Sequence, residues 1–167
     1  MLLFASLAVS AALALAPLTE SAALDSPYRH VRTQDRSVRS LLKRGFTHSP
    51  TFARLMARLE QSDVLVYVEE VPRLPDALEG RMMMLPIAHG QRYVRIQLAL
   101  RGAPDDSIAV LGHELQHAVE VAQEIGVQDE ATLVALYQRI GTRAGPEVYD
   151  TGAAREVGRI VRRELLA

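Results

Sequence analysis

Hydrophobic positions along the chain follow helical spacing in five segments and strand spacing in three. The predicted helices are residues 35–44, which Gly45 is expected to end, a segment from Ser49-Pro50, residues 104–125, residues 129–140, and a segment from near Asp150-Thr151 to Leu165. The predicted strands are residues 64–68, 81–88 and 92–100, with a hairpin turn at His89-Gly90. Helices on both sides of a block of strands indicate an α+β fold. We expect a short antiparallel sheet packed on the longest helix.

The first 23 residues differ from the rest of the chain. An apolar run from Leu2 to Ala16 is about 15 residues long, whereas a helix needs roughly 20 to span a bilayer. Ser21-Ala22-Ala23 then offers the small-x-small pattern of a signal-peptidase site, although no Lys or Arg precedes the run. We expect residues 1–23 to be a signal peptide cleaved near Ala23, and residues 24–167 to be one exported domain, periplasmic or secreted. A buried N-terminal helix or an uncleaved anchor is the alternative, and no later segment reads as a membrane span.

Charge and cysteine content narrow the possible chemistry. The chain has 19 Lys and Arg against 20 Asp and Glu, a net charge of −1. This balance argues against a nucleic-acid partner, which requires clustered basic charge. Cysteine is absent, so disulfides, thiolate metal ligands and thiol nucleophiles are excluded. Any metal ion must therefore be held by His, Asp or Glu.

The segment His113-Glu114-Leu115-Gln116-His117 is an H-E-x-x-H motif inside the longest predicted helix. At 100° per residue, His113 and His117 differ by about 40° around the helix axis and lie one turn apart on one face. Two imidazoles at this spacing can bind one Zn²⁺. Glu114, about 100° from His113, can reach a water molecule beside the metal as a general base. The opposite face is apolar and is formed by Ile108, Leu111, Leu115, Val119, Ala122 and Ile125.

The motif and the strand-then-helix order from Tyr93 to Ile125 resemble the zincin metallopeptidases. The residues that follow, Ala118-Val119-Glu120, lack the glycine and third histidine of the metzincins, so the resemblance is to gluzincins or aspzincins. It implies a small zincin-like domain that binds Zn²⁺. It also implies His113 and His117 as ligands, Glu114 as general base, and a carboxylate ligand on a later segment.

Asp150 is the favoured third ligand, although an aspartate before a helix is commonly its N-cap, and Thr151 could take that role instead. Glu120 is the alternative, with a competing role as a hydrogen-bond partner that orients His117. One straight helix is an awkward source of all three ligands, because His113 and Glu120 lie about 10.5 Å apart along its axis. The remaining candidates are Glu124, Glu130, Glu147 and Glu156.

The expected function is that of an exported zinc metallopeptidase, which hydrolyses peptide bonds with a zinc-activated water and Glu114 as general base. The strand at residues 92–100 could hold an extended peptide substrate by strand addition, and Tyr149 could assist an oxyanion. One alternative is a non-catalytic exported binding module that keeps a zincin scaffold and a structural zinc with four protein ligands. A second alternative is a metal-free helical interaction protein.

Overall fold

The computed structural model describes residues 29–145 and 148–167, so the expected signal peptide at residues 1–23 lies outside the described residues. The helices are α1 (Arg36–His48), α2 (Pro50–Glu60), α3 (Pro104–Gln123), α4 (Glu130–Ile140) and α5 (Gly152–Leu165). The strands are β1 (Val31–Arg32), β2 (Val64–Glu70), β3 (Gly80–Ala88), β4 (Gln91–Leu98), β5 (Thr142–Gly145) and β6 (Val148–Asp150). The α+β class is confirmed, as are the predicted helices and strands in outline. Strands β1, β5 and β6 were not predicted, because two to four residues are too few to show an alternating pattern.

The main sheet is mixed, so the prediction of an antiparallel sheet is wrong. Its strand order is β1-β2-β4-β3, in which β2 pairs in parallel with both β1 and β4, and β3 pairs antiparallel with β4. The connection 71–79 leads from β2 to β3, which is not its neighbour in the sheet. The β3–β4 hairpin then places β4 between β2 and β3. Strand β4 is therefore central and cannot accept a peptide along its edge, contrary to the expectation for residues 92–100. Strands β3 and β1 are the two edges of this sheet.

The sheet packs its apolar face on α3. Along β4, Val94, Ile96 and Leu98 are buried and alternate with more exposed residues, as the period-two pattern predicts. On α3, Ile108, Leu111 and Leu115 are fully buried. The core is thus continuous between the sheet and the helix that carries the H-E-x-x-H motif.

Gly45 does not end the first helix, which continues to His48. A Cβ atom on Gly45 would lie 2.9 Å from the side chain of Ile108 and 3.1 Å from that of Phe52. Glycine is therefore required here because α1 packs closely against α2 and α3. The sequence pattern alone does not distinguish this role from a helix stop.

Arg92 binds the C-terminal end of α3. Its buried guanidinium donates to the carbonyl oxygens of Val121, Glu124 and Val127 at 2.7–3.1 Å and to the carboxylate of Asp63 at 2.7 and 2.8 Å. These carbonyl groups lie at and just beyond the helix C-terminus. Those of Val121 and Glu124 also accept from the backbone N–H groups of Glu124 and Val127, at 3.1 and 3.0 Å. The helix stops at Gln123, and Ile125, predicted on its apolar face, is 80% exposed.

We expect Arg92→Met to lower the free energy of unfolding by about 2–3 kcal/mol, because it removes charge-assisted hydrogen bonds to buried carbonyl groups and leaves that of Val127 without its donor. The matched control is Arg95→Met on the same strand, where a half-exposed ion pair with Glu69 at 3.7 Å should contribute less than about 1 kcal/mol. Urea denaturation followed by circular dichroism measures both values. Equal stability of the two variants would contradict this role of Arg92.

Candidate metal centre

Helix α3 brings the two motif histidines together. The Nε2 atoms of His113 and His117 lie 3.2 Å apart, and the two rings meet edge to face with centroids 4.8 Å apart. Both side chains line a cleft of about 1780 Å³ between β3, α3, α4 and α5. The helical spacing of the motif therefore produces the arrangement that the sequence predicts.

Asp150 reaches the histidines from the end of β6. Its Oδ1 atom lies 3.4 Å from Nε2 of His113 and 3.7 Å from Nε2 of His117. This oxygen is buried and has no hydrogen-bond partner among the described residues, while Oδ2 accepts from Arg155 at 3.2 Å. The N-cap of α5 is Thr151, whose hydroxyl accepts from the backbone N–H of Ala154 at 3.0 Å. Asp150 is therefore not used as a helix cap.

Close packing of α5 on α3 supports this position of Asp150. A Cβ atom on Gly112 of α3 would lie 3.0 Å from the side chain of Val161. A Cβ atom on Gly158 of α5 would lie 3.4 Å from the carbonyl oxygen of Ala109 and 3.5 Å from Cβ of His113. The absence of side chains at these two glycines lets α5 approach the His113 turn. Asp150, two residues before α5, then reaches the two imidazoles.

The three donor atoms have the spacing that a tetrahedral metal ion requires. Ligands at 2.0–2.1 Å from a tetrahedral zinc ion lie about 3.3 Å from one another. One ligand atom from each of His113, His117 and Asp150 can be chosen so that all three lie within 4.8 Å of one another, and the three pairs above are close to the ideal separation. Among the described residues, this is the group that could hold a metal ion. The unpartnered Oδ1 atom of Asp150 is the donor that such an ion would satisfy.

Glu120 is held apart from this group. Nδ1 of His117 donates to Oε2 of Glu120 at 2.9 Å, and the hydroxyl of Thr151 donates to Oε1 at 2.7 Å. Glu120 thus has the role that we considered as its alternative to metal binding, namely to orient the imidazole of His117 through a hydrogen bond. The bond places the proton of His117 on Nδ1 and leaves Nε2 free to bind a metal.

The other candidate carboxylates do not join the histidines. Glu124 pairs with Arg139 at 3.0 Å, Glu156 pairs with Arg159, and Glu130 accepts from the backbone N–H of Met84 at 3.3 Å. Glu147 lies outside the described residues. Tyr149 lines the cleft, and its hydroxyl accepts from the side-chain amide of Gln138 at 3.5 Å.

Glu114 lies in the cleft wall beside the histidines. Burial raises the pKa of this carboxyl group to about 7, and the negative charge of Asp150 acts in the same direction while His117 opposes it. A carboxyl group with this pKa exchanges protons readily near neutral pH, as a general acid or base must. The backbone of Gly80, the first residue of β3, packs closely beside Glu114. A Cβ atom at this position would lie only 2.7 Å from Oε1 of Glu114.

The pKa values of the two histidines shift in opposite directions. Burial and the neighbouring His117 lower the pKa of His113 below its usual value, which keeps its imidazole neutral and able to bind a metal. Burial alone would lower the pKa of His117 as well, but the hydrogen bond to Glu120 and the nearby carboxylates outweigh it, and its pKa is raised.

Sequence reasoning missed two residues at this site. The ring of Tyr137 packs edge to face on His117 with centroids 5.2 Å apart, and burial raises the pKa of its hydroxyl, which has no hydrogen-bond partner in the described ranges. Its position on the apolar stripe of α4 predicts only a core residue. Arg155 reads as a solvated residue of an amphipathic helix, and its contact with Asp150 spans the N-terminal turn of α5.

The chain matches no protein-family model, and no significant match was found among curated proteins or solved structures. In the two described ranges, no helix has the length and apolar composition of a membrane-spanning helix.

Proposed function

We propose that this chain is an exported zinc-dependent peptidase. The observation that carries the proposal is the convergence of His113, His117 and Asp150 beside the buried carboxyl group of Glu114 in an open cleft. Two imidazoles and one carboxylate are a typical donor set for catalytic zinc. The apolar N-terminal run with a small-x-small site supports export.

Each group of the site has a defined task in peptide hydrolysis. A bound zinc ion would lower the pKa of a water molecule towards 7 and polarise the substrate carbonyl. Glu114 accepts the proton of that water on a carboxylate oxygen and returns it to the nitrogen of the leaving amine. Glu120 orients the imidazole of His117, and Arg155 holds Oδ2 of Asp150 so that Oδ1 faces the histidines.

Strand β3 is the element best suited to hold a peptide substrate. It is one of the two edges of the main sheet, and Gly80, Met82, Met83 and Met84 are among the residues that line the cleft. An extended peptide can add to such an edge through backbone hydrogen bonds. This pairing would lay the peptide past Glu114, which contacts Gly80.

The alternative of a binding module with structural zinc requires a fourth protein ligand. The group that could hold a metal contains three described residues. Glu120, which the sequence also offers as a ligand, has both carboxylate oxygens engaged, with His117 and Thr151. The described residues therefore favour a site with an open coordination position.

The proposal is tested with the chain from residue 24, loaded with one equivalent of zinc and incubated with a mixed library of unblocked peptides. We expect cleavage that stops on addition of a chelator and returns when zinc is restored. Mass spectrometry of the products measures this. An absence of cleavage across the library, with zinc bound at one per chain, would overturn the catalytic proposal in favour of the binding module.

We expect Gly80→Ala to lower kcat for peptide hydrolysis by roughly ten- to a hundred-fold, because the added methyl group would displace the carboxylate of Glu114. Zinc content should not change, since Gly80 does not contact the metal ligands. The matched control is Gly152→Ala, also in the cleft wall, where a Cβ atom would meet nothing within 4 Å. Equal kcat values for the two variants would show that the contact with Gly80 does not position Glu114.

A further inference from the structure

The free edge of β3 has an open half and a closed half. In the antiparallel pair, Gly80, Met82 and Met84 face Leu98, Ile96 and Val94 of β4. The N–H of Met84 donates to Glu130 and not to β4. The carbonyl oxygen of Leu98 accepts from Val71, which follows β2, and not from β3. The pairs Gly80–Leu98, Met82–Ile96 and Met84–Val94 are therefore those without mutual hydrogen bonds. By alternation, the backbone groups of Gly80, Met82 and Met84 point away from β4 towards the cleft edge.

The half of the edge near Gly80 is open and lies beside the proposed general base. A Cβ atom on Gly80 would lie 2.9 Å from Cγ of Glu114, so the strand passes directly over that side chain. Gly80 and Met82 both line the cleft. Among the described residues, their outward N–H and C=O groups have no hydrogen-bond partner, so a peptide backbone could pair with them.

The far half of the edge is closed by three features. Oε2 of Glu130, the first residue of α4, accepts from the N–H of Met84 at 3.3 Å. Pro86, the next residue with the same orientation, has no N–H to donate. The pairing with β4 also becomes irregular between Leu85 and Ala88. A peptide that extends past Met82 therefore finds the N–H of Met84 already bonded to Glu130 and no N–H at Pro86.

We propose that Glu130 limits how many substrate residues pair with β3, which makes this chain a peptidase selective for a short stretch of backbone on one side of the cleaved bond. The inference rests on the proposed function. A peptide strand that pairs with Gly80 and Met82 covers about three residues, and longer peptides gain nothing further on that side. Glu130 is thus a specificity-determining residue, acting through the N–H of Met84 and not through the metal ligands.

The test uses a peptide series extended one residue at a time, first at one end and then at the other, with kcat/KM measured for the zinc-loaded protein. For the wild type, we expect kcat/KM to stop rising after about three residues at one of the two ends. Glu130→Ala frees the N–H of Met84, and the next extension at that end should then raise kcat/KM about two- to ten-fold, the value of one hydrogen bond. Glu130→Gln keeps an acceptor oxygen, so its length limit should match the wild type.

Glu124→Ala removes a partly exposed carboxylate that pairs with Arg139, and it controls for the change in net charge. An unchanged length limit in Glu130→Ala would overturn the inference, even if the variant is less stable. Binding of the same labelled peptides to zinc-loaded Glu114→Gln, with and without Glu130→Ala, separates the two proposals. A shift of the length limit in binding without any cleavage by the wild type would overturn the peptidase proposal alone.

Discussion

Glu114→Gln should lower the rate of peptide hydrolysis about a hundred- to ten-thousand-fold while one zinc ion remains bound per chain. The amide has nearly the same shape as the carboxylate but cannot accept the proton of a water molecule, and a positioned general base contributes about 10²–10⁴ in rate. Glu114 is not among the three grouped ligands, so the metal site should stay intact. Single-turnover kinetics and zinc analysis of the same preparation measure both effects.

The control for this variant is Glu69→Gln, on strand β2, where the side chain is about 40% exposed and pairs with Arg95. It makes the same chemical change outside the cleft and should keep wild-type activity. Substantial hydrolysis by Glu114→Gln would remove Glu114 from the mechanism. Loss of zinc from Glu114→Gln would instead make Glu114 part of the metal site.

His113→Ala should weaken zinc binding by roughly a hundred-fold or more and abolish hydrolysis with it. The free energy of a full zinc site, about 10–16 kcal/mol, is shared among its ligands, so loss of one donor removes a large part of it. The remaining donors, His117 and Asp150, lie 3.7 Å apart and would hold the ion with two bonds from the protein. Competition with a chromophoric chelator measures the affinity.

His89→Asn is the matched control, because His89 lies in the β3–β4 turn with a φ of 51°, a conformation that asparagine tolerates. Its zinc affinity should equal that of the wild type. If His113→Ala also binds zinc with unchanged affinity, the metal is held elsewhere and the site described above is wrong.

The spacing of residues along one helix predicts the arrangement of His113, Glu114 and His117, whereas the position of Asp150 depends on long-range packing. His113, Glu114 and His117 belong to one helix, so the helical period fixes their relative directions. Asp150 comes from a different element, and an aspartate that precedes a helix is more often a cap. Thr151 caps α5 in place of Asp150, and Gly158 lets α5 approach His113. A single sequence does not reveal such packing.

The order of strands illustrates the same limit. The alternation in β4 correctly predicts a strand with one buried face, but that pattern is shared by edge and central strands. The parallel pairing of β2 with β4 depends on the course of residues 71–79. The buried position of Arg92 is not predictable from the sequence either. An arginine near a hairpin is expected to face solvent, and its carbonyl partners at the end of α3 are distant in the sequence.

A crystal structure of the zinc-loaded chain, with the metal located by anomalous scattering at the zinc absorption edge, tests the central claim most directly. We expect one zinc ion at about 2.0–2.1 Å from Nε2 of His113, Nε2 of His117 and Oδ1 of Asp150, with no fourth ligand from the protein. A zinc ion bound elsewhere, or one enclosed by a fourth protein side chain, would contradict the account.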